Sequence, residues 1–463
     1  MSLKSLVEQV PFYNQVVKPW HLAQAVVASA KYDFPAKKLR VIGVTGTNGK
    51  TTTCFMIWKM LNEAGRKAGL LTTVAWGGVG GDETDVVNEG EDARHLHRQF
   101  EHMTTERVEV LNQRMRAVAD AKAEFLVLEV TSHALSQFRT WGVPVEIAVF
   151  TNLTHEHLDY HKTMERYRAA KLKLFKQAEY GVVNADDENG IYYEAVFAPG
   201  HYSSYGIKNG QIRAKSVKLA ENGISYSCGD ISGSGDYSSG DIRELKIRTQ
   251  IPGIFNVYNS LAAVAVGLKV GLTGEQIEQG IAALTAVEGR MTRIREGQDF
   301  EVIVDYAHAP DALEKVFRSV KPAQRAGAAR GRKSSGQLGP GRRIIAVHGG
   351  AGRRDSSTRA LRGEILGRES DVVIITEDDS RDEDPRKIAA QFVEGAEKAG
   401  KRMGEDLFVE LDRRKAIEKA IKMARKGDLV LILGKGHEKT ILRKEGAVAF
   451  EDIKVAREVL RKH

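Results

Sequence analysis

The chain has 463 residues, too many for one ordinary core, so two or three domains are expected. With 42% hydrophobic and 28% charged residues it reads as globular; disorder is excluded, and no run approaches the roughly 20 apolar residues of a membrane helix. The formal charge of +8 sits mostly in residues 323–343, which hold six basic residues and no acid. Without interleaved aromatics for base stacking, that stretch reads as a mobile, solvated basic insertion and not as a nucleic-acid site.

Met1–Lys38 is a short N-terminal segment without the charged start and apolar run of a secretory signal. Two cysteines, Cys54 and Cys228, cannot build a framework of bridges. A cytoplasmic location is the expectation. Leu39–Thr45 (LRVIGVT) is the first strand, followed by Phe125–Val130, Ala148–Leu153 and Gly181–Asn184. Residues 228–240 are rich in Gly and Ser and read as a surface excursion, and Asn256–Gly267 reads as helix. A second series comprises Glu301–Tyr306, Ile344–His348, Asp371–Thr376 and Asp428–Leu433. Such β-branched runs alternating with helical patterns predict parallel sheets with crossover helices, and ligands beyond the carboxyl ends of the strands.

The first strand runs into Gly43-Val-Thr-Gly-Thr-Asn-Gly-Lys-Thr-Thr52 and then a helix to about Ala64. Val44 takes the first glycine position of the strict phosphate-loop pattern, but the strand before, the helix after and Gly-Lys-Thr-Thr are intact. Gly46, Thr47, Asn48 and Gly49 would close backbone N–H groups around a phosphate. Lys50 would reach the outer phosphates and Thr51, followed by Thr52, would offer a hydroxyl to Mg²⁺. Glu129 ends a neighbouring strand, where a carboxylate beside a phosphate loop makes a good Mg²⁺ ligand.

Next comes TNLTHEHLDYH, with His155, His157, Asp159 and His161. It approaches the ligand spacing of metallo-β-lactamase-like hydrolases, but Tyr160 breaks the pattern and such a fold needs no phosphate loop. One histidine serving Mg²⁺ is the better reading. In the helix Met164–Ala178, Lys171 shares an apolar face with Tyr167, Leu174, Phe175 and Ala178. Spacing alone favours a lysine that snorkels to solvent; a buried lysine beside a metal centre, modified or catalytic, is the alternative.

Together, GTNGKTT, LEVTSHAL, FTNLTHEHLDYH, NADDE, FNVYNSLAA, GRM, VDYAHAPDALE, TEDDSRDEDP and GKGHE resemble the Mur ligase family, in family order across about residues 40–440. The closest resemblance is to the branch that adds the third residue of the peptidoglycan stem peptide. It implies an α/β protein: a central P-loop ATPase domain with a mostly parallel sheet over 39–287, then a Rossmann-like C-terminal α/β domain over 288–463. It also implies ATP and two Mg²⁺ ions as cofactors. The substrates would be a UDP-linked muramoyl dipeptide and a free amino acid, diaminopimelate or L-lysine. A monomer is the simplest expectation.

By the same resemblance, Thr51, Glu129 and His157 would hold Mg²⁺, and Lys171 would be carbamylated into a further metal ligand. Asn259 would meet the adenine, while Arg290 and Asp305 would close on the nucleotide from the second domain. Lys50, His157, Lys171 and Asp305 would form the catalytic set. Thr104, Thr105, Thr131, Ser132, Gln137 and Arg139 would hold the acceptor, and Arg381, Gly434 and Glu438 the incoming amino acid.

Departures from the family pattern concern four places. The phosphate loop begins after only some forty residues, short of the family's UDP-gripping domain. Glu106 stands for a usual proline, and Thr358 for the lysine that usually precedes Arg359. Asp378-Asp379-Ser380-Arg381 keeps only the outer residues of the usual D-N-P-R, whose arginine can pair with a second carboxylate and so favours diaminopimelate. Two alternatives stand beside this reading: a ligase like folylpolyglutamate synthase acting on a non-UDP acidic acceptor, and a non-catalytic nucleotide-binding subunit.

Overall fold

The computed structural model describes residues 13–80, 86–88, 108–220, 223–229, 244–321 and 342–463. The expected acceptor residues Thr104 and Thr105, Glu106, and most of the Gly/Ser-rich and basic stretches lie outside them. The first sheet has eleven strands: β1 (Arg40–Thr45), β2 (Ala68–Leu71), β3 (Ala75–Gly77), β4 (Val86–Asn88), β5 (Phe125–Glu129), β6 (Val145–Phe150), β7 (Ala178–Asn184), β8 (Tyr202–Gly206), β9 (Ile212–Ala220), β10 (Gly223–Gly229) and β11 (Glu244–Thr249). Their order is β11-β10-β9-β8-β7-β6-β1-β5-β2-β3-β4. The middle, from β9 to β2, is parallel, and antiparallel strands finish both edges.

The central strands are buried along their length, which is why they read as continuous apolar runs. One face packs on the helices Lys50–Glu63, Ile254–Lys269 and Gly274–Ala282, the other on Val108–Asp120 and Met164–Phe175. The helix Lys50–Glu63 lies so close to Gly274–Ala282 that a Cβ on Gly280 would sit 2.6 Å from the Met60 Cα. Residues Tyr13–Lys31 form a helix within the segment that the sequence left unassigned.

The second sheet has the order β12-β13-β17-β14-β15-β16, with β12 (Thr292–Ile294), β13 (Glu301–Asp305), β14 (Ile344–Gly350), β15 (Val372–Glu377), β16 (Leu407–Val409) and β17 (Leu429–Leu433). All its pairs are parallel except β12–β13, and apolar clusters cover both faces. A small hairpin, β18 (Thr440–Arg443) and β19 (Gly446–Ala449), follows. This is the mixed α/β architecture expected.

Three local expectations are corrected. The strand placed at 148–153 ends at Phe150, because Thr151 and Asn152 leave the ladder to line the phosphate loop while Leu153 N turns to Asp187. The helix placed to Ala178 stops at Phe175, since Ala178 already begins β7. The basic insertion cannot run to 343 as a solvated loop: Arg342 pairs with Glu301 at 2.5 Å and Arg343 with Asp428 at 2.5 Å, leading into β14. Among the described residues no helix is long and apolar enough to cross a membrane.

Candidate active site

The phosphate loop leaves the carboxyl end of β1 at the centre of the first sheet. Gly49 precedes the helix with φ +82°, and a Cβ there would lie 2.3 Å from Asn259 Oδ1, so only glycine fits without displacement. The loop is pinned from below. Thr47 N donates to Asn152 O at 2.8 Å, Asn48 N to Asn152 Oδ1 at 2.9 Å, and Thr151 Oγ1 to Asn48 O at 2.7 Å. Lys50 Nζ donates to Thr47 O at 2.8 Å, folded over the loop it would serve. Thr52 is buried in the first turn of the helix.

Thr51 Oγ1 donates to Glu129 Oε2 at 2.9 Å, and Thr73 donates to the same oxygen from its N and Oγ1, each at 3.2 Å. A hydroxyl and a carboxylate in contact at a phosphate loop are hard oxygen donors of the kind Mg²⁺ takes, so the pair fits that ion. The lysine expected to snorkel does not. Lys171 is 1% exposed, and its Nζ donates to Gly46 O at 2.6 Å, beneath the same loop. Burial, with Lys50 adding, pushes its pKa well below the ordinary lysine value. A neutral amine is the form that adds to CO₂, so Lys171 fits a carbamate.

His157 opens the short helix Leu158–His161 with φ +57°. Burial lowers its pKa, partly offset by the adjacent Glu156. Burial alone would raise Glu156, but His157 and a hydrogen bond from His308 hold it below the usual carboxylate range. The histidines of the segment do not converge as a hydrolytic metal site: His155 is exposed, and His161 Nε2 shares a hydrogen bond with Ser132 Oγ at 2.9 Å. His133 stacks edge-on against His157, with ring centroids 4.8 Å apart.

The acceptor candidates gather near this cluster. Thr131 caps the helix Ser132–Ser136, accepting from Ala134 N at 3.3 Å. Ser132 is buried against His161, and Gln137 Oε1 accepts from Arg139, whose burial lowers its pKa to about 10. Asn259 is 4% exposed, with its amide bonded to Asn256 at 2.8 Å and accepting from Thr53 at 3.3 Å. That places it behind Gly49, as a brace of the loop's far side.

From the second sheet, Arg290 Nη2 donates to Thr51 Oγ1 at 3.2 Å and its guanidinium lies over the Tyr306 ring, 4.7 Å from the centroid. Asp305, at the end of β13, holds that turn by accepting from Met291 N and Ala307 N, both at 2.8 Å. Burial raises its pKa, opposed by Arg290. A second bridge was not read from sequence: Asp311 Oδ2 accepts from Asn48 Nδ2 at 2.8 Å and from Thr154 Oγ1 at 3.1 Å. With His308 Nε2 3.4 Å from Glu156, the carboxyl ends of the two sheets face each other across the phosphate loop. Asp311 and His308 lie inside VDYAHAPDALE, so the motif carried a signal that no role had been attached to.

At the ends of β15 and β17 lies a buried cluster of charged side chains. Gly434 has φ +110° and donates from its N to Asp305 O at 3.1 Å. Lys435 is fully buried, and its Nζ meets Asp378 at 3.3 Å, Asp379 at 2.9 Å and Glu438 at 2.6 Å. Burial would lower its pKa, but the three carboxylates hold it well above the lysine value; burial in turn raises Glu438. These are the only three carboxylates among the described residues grouped closely enough for a cation, and the Lys435 ammonium already bridges all three. Arg381 has φ +54°, donates to Gly352 O at 2.6 Å and lies 3.5 Å from Asp379 Oδ2. Its guanidinium is thus turned inward, and Asp379 balances part of its charge.

The Mur ligase middle domain model matches residues 44–267, and the Mur ligase glutamate ligase domain model matches 289–436. The chain belongs to the Mur ligase family. It is 38% identical over 447 residues to the UDP-N-acetylmuramoyl-L-alanyl-D-glutamate–2,6-diaminopimelate ligase of Syntrophomonas wolfei, covering 95% of this chain and 82% of that one. It is 38% identical over 456 residues to the UDP-N-acetylmuramyl-tripeptide synthetase of a Roseiflexus species, covering 95% and 82%. The fold also matches the folylpolyglutamate synthase of Mycobacterium tuberculosis with a TM-score of 0.66, at 17% identity over 90% of this chain and 93% of that one.

Proposed function

We propose that this Mur-family enzyme is the ATP-dependent ligase that joins an amino acid, diaminopimelate or L-lysine, to a UDP-linked N-acetylmuramoyl-L-alanyl-D-glutamate acceptor. The observation that carries the reading is the facing of two strand ends. The phosphate loop and the Thr51–Glu129 pair meet Arg290 and Asp311 from the sheet whose other strand ends hold the Lys435 cluster. The relatives' names supply the acceptor and the amino acid. Residues 39–287 would hold nucleotide and acceptor, and residues 288–463 the amine.

The acceptor carboxylate attacks the γ-phosphorus of ATP, ADP leaves, and an acyl phosphate remains. Lys50 gives up the Thr47 carbonyl and turns to the outer phosphates, while Arg290 approaches from the opposite side. Thr51 and Glu129 would hold one Mg²⁺ ion and His157 and a carbamylated Lys171 a second, which would supply neutralising charge for the phosphate oxygens. The amine then attacks the acyl carbon, loses a proton, and the tetrahedral adduct expels phosphate to leave an amide. The contacts of Asn48 and Thr154 with Asp311 hold the halves together, which keeps water from the acyl phosphate.

Supplying ATP, Mg²⁺, the UDP-linked dipeptide and, separately, diaminopimelate, L-lysine or L-ornithine tests this. A tripeptide of the expected mass with stoichiometric phosphate supports it. A protein that binds ATP yet makes no product with any of the three moves the acceptor to a non-UDP substrate or makes the chain a non-catalytic subunit.

A further inference from the structure

The two loops of the Lys435 cluster come from strands that do not touch. β15 delivers Asp378, Asp379 and Arg381, β17 delivers Gly434, Lys435 and Glu438, and β14 lies between them. Their last carbonyls, Glu377 O and Leu433 O, point to one guanidinium. Arg413, the first residue of the helix Arg413–Met423, donates from Nη1 to Glu377 O at 3.3 Å and from Nη2 to Leu433 O at 3.1 Å. The other side of its fork is taken by Asp452, with Nε to Oδ1 and Nη2 to Oδ2 both at 2.7 Å. Arg413 and Asp452 are both fully buried. Asp452 opens the C-terminal helix Asp452–Leu460, whose N-terminal end favours its charge.

A buried ion pair is a weak source of stability, since its desolvation offsets most of its attraction. Its geometry, however, is specific. A planar fork that spends two donors on a carboxylate and two on carbonyls from separate strands fixes the distance between those strands' ends. The residues that follow the two carbonyls, Asp378 and Gly434, are where the cluster begins. Lys435 ties the same loops together from within the cluster, so Arg413 is the matching tie from behind.

We propose that Arg413, held by Asp452, is a positioning residue that sets the spacing of the two loops and thereby the affinity for the incoming amino acid. It touches no substrate and acts through the Glu377 and Leu433 carbonyls. This rests on the reading of the Lys435 cluster as the amine site.

The test uses the full chain with two variants, Arg413→Lys and the double variant Arg413→Met with Asp452→Leu. The first keeps the charge but cannot reach four acceptors; the second leaves no unpaired buried charge and fills the volume. KM is measured for ATP, for the UDP-linked dipeptide and for the amino acid. The first half-reaction is read separately, without amino acid, by trapping the acyl phosphate with hydroxylamine. The expected result is a rise in the amino-acid KM of about 10- to 100-fold, in line with a small misplacement of binding groups. The other two KM values and the hydroxamate rate stay within about twofold of wild type on the same grounds. An unchanged amino-acid KM in both variants overturns the proposal, and so does a loss shared equally by all four readouts, which marks a general structural role. A wild-type enzyme that forms hydroxamate but no peptide with any amino acid overturns the reading of the cluster itself, and the positioning role with it.

Discussion

Replacing Lys171 by Met should change the pH dependence of stability in a way that depends only on the charge of the buried amine. Lys171 is 1% exposed, and burial together with Lys50 keeps its folded pKa well below 10.5. In the unfolded chain the amine is protonated up to about pH 10.4. Between the depressed folded pKa and that value the unfolded state binds one more proton, so wild-type stability gains about 1.4 kcal/mol per pH unit from this group as pH rises. Met carries no such dependence. The melting temperature of Lys171→Met minus that of wild type should therefore fall with pH, by roughly 3 °C per unit for a unit of this size. Loss of the 2.6 Å bond to Gly46 O leaves a carbonyl unpaired at a cost of about 1–3 kcal/mol. That cost shifts the offset between the two lines but not their slope. The assay is scanning fluorimetry at pH 7.5, 8.5 and 9.5 in CO₂-free buffer with EDTA, so that neither carbamate nor metal contributes. Parallel lines would show that Lys171 is charged in the folded protein and would refute the argument for its neutral, CO₂-reactive state.

Lys171→Ala should be inactive in the ligase assay and regain activity with added short carboxylic acids; full activity without them would sink the carbamate. Glu129→Gln keeps an acceptor for Thr51 but loses the charge, so the Mg²⁺ concentration for half-maximal turnover should rise by roughly 10–100-fold, read from a metal titration. Gly49→Ala forces a side chain into φ +82° and against Asn259. The strain of about 1–2 kcal/mol should weaken ADP binding by about 5- to 30-fold in calorimetry.

Strands were legible wherever a β-branched run was buried on both faces, as in LRVIGVT and DVVIIT, because nothing polar interrupts them. The run of strands β8–β11 was not. Strands such as ELKIRT bury alternate residues only, so no continuous apolar run marks them in the sequence. The phosphate loop could be read because its geometry is local. Lys171 could not be settled from spacing, since an apolar helical face suits a buried and a snorkelling lysine equally; what decides is the Gly46 carbonyl 125 residues away. Asp311 was missed for a like reason: its partner Asn48 is 263 residues distant. Arg413 sat in an unremarked helix start, and only the convergence of two strand ends and Asp452 gives it a role.

The account turns on an acyl phosphate formed at the acceptor carboxylate. Labelling that carboxylate with ¹⁸O in the UDP-linked dipeptide and running one turnover with ATP, Mg²⁺ and diaminopimelate or L-lysine tests it directly. The account predicts one ¹⁸O in the released phosphate and a tripeptide that has lost one label. A singly labelled tripeptide with unlabelled phosphate, the lost oxygen appearing in water or in AMP, would contradict it, as would ADP formation with no peptide at all.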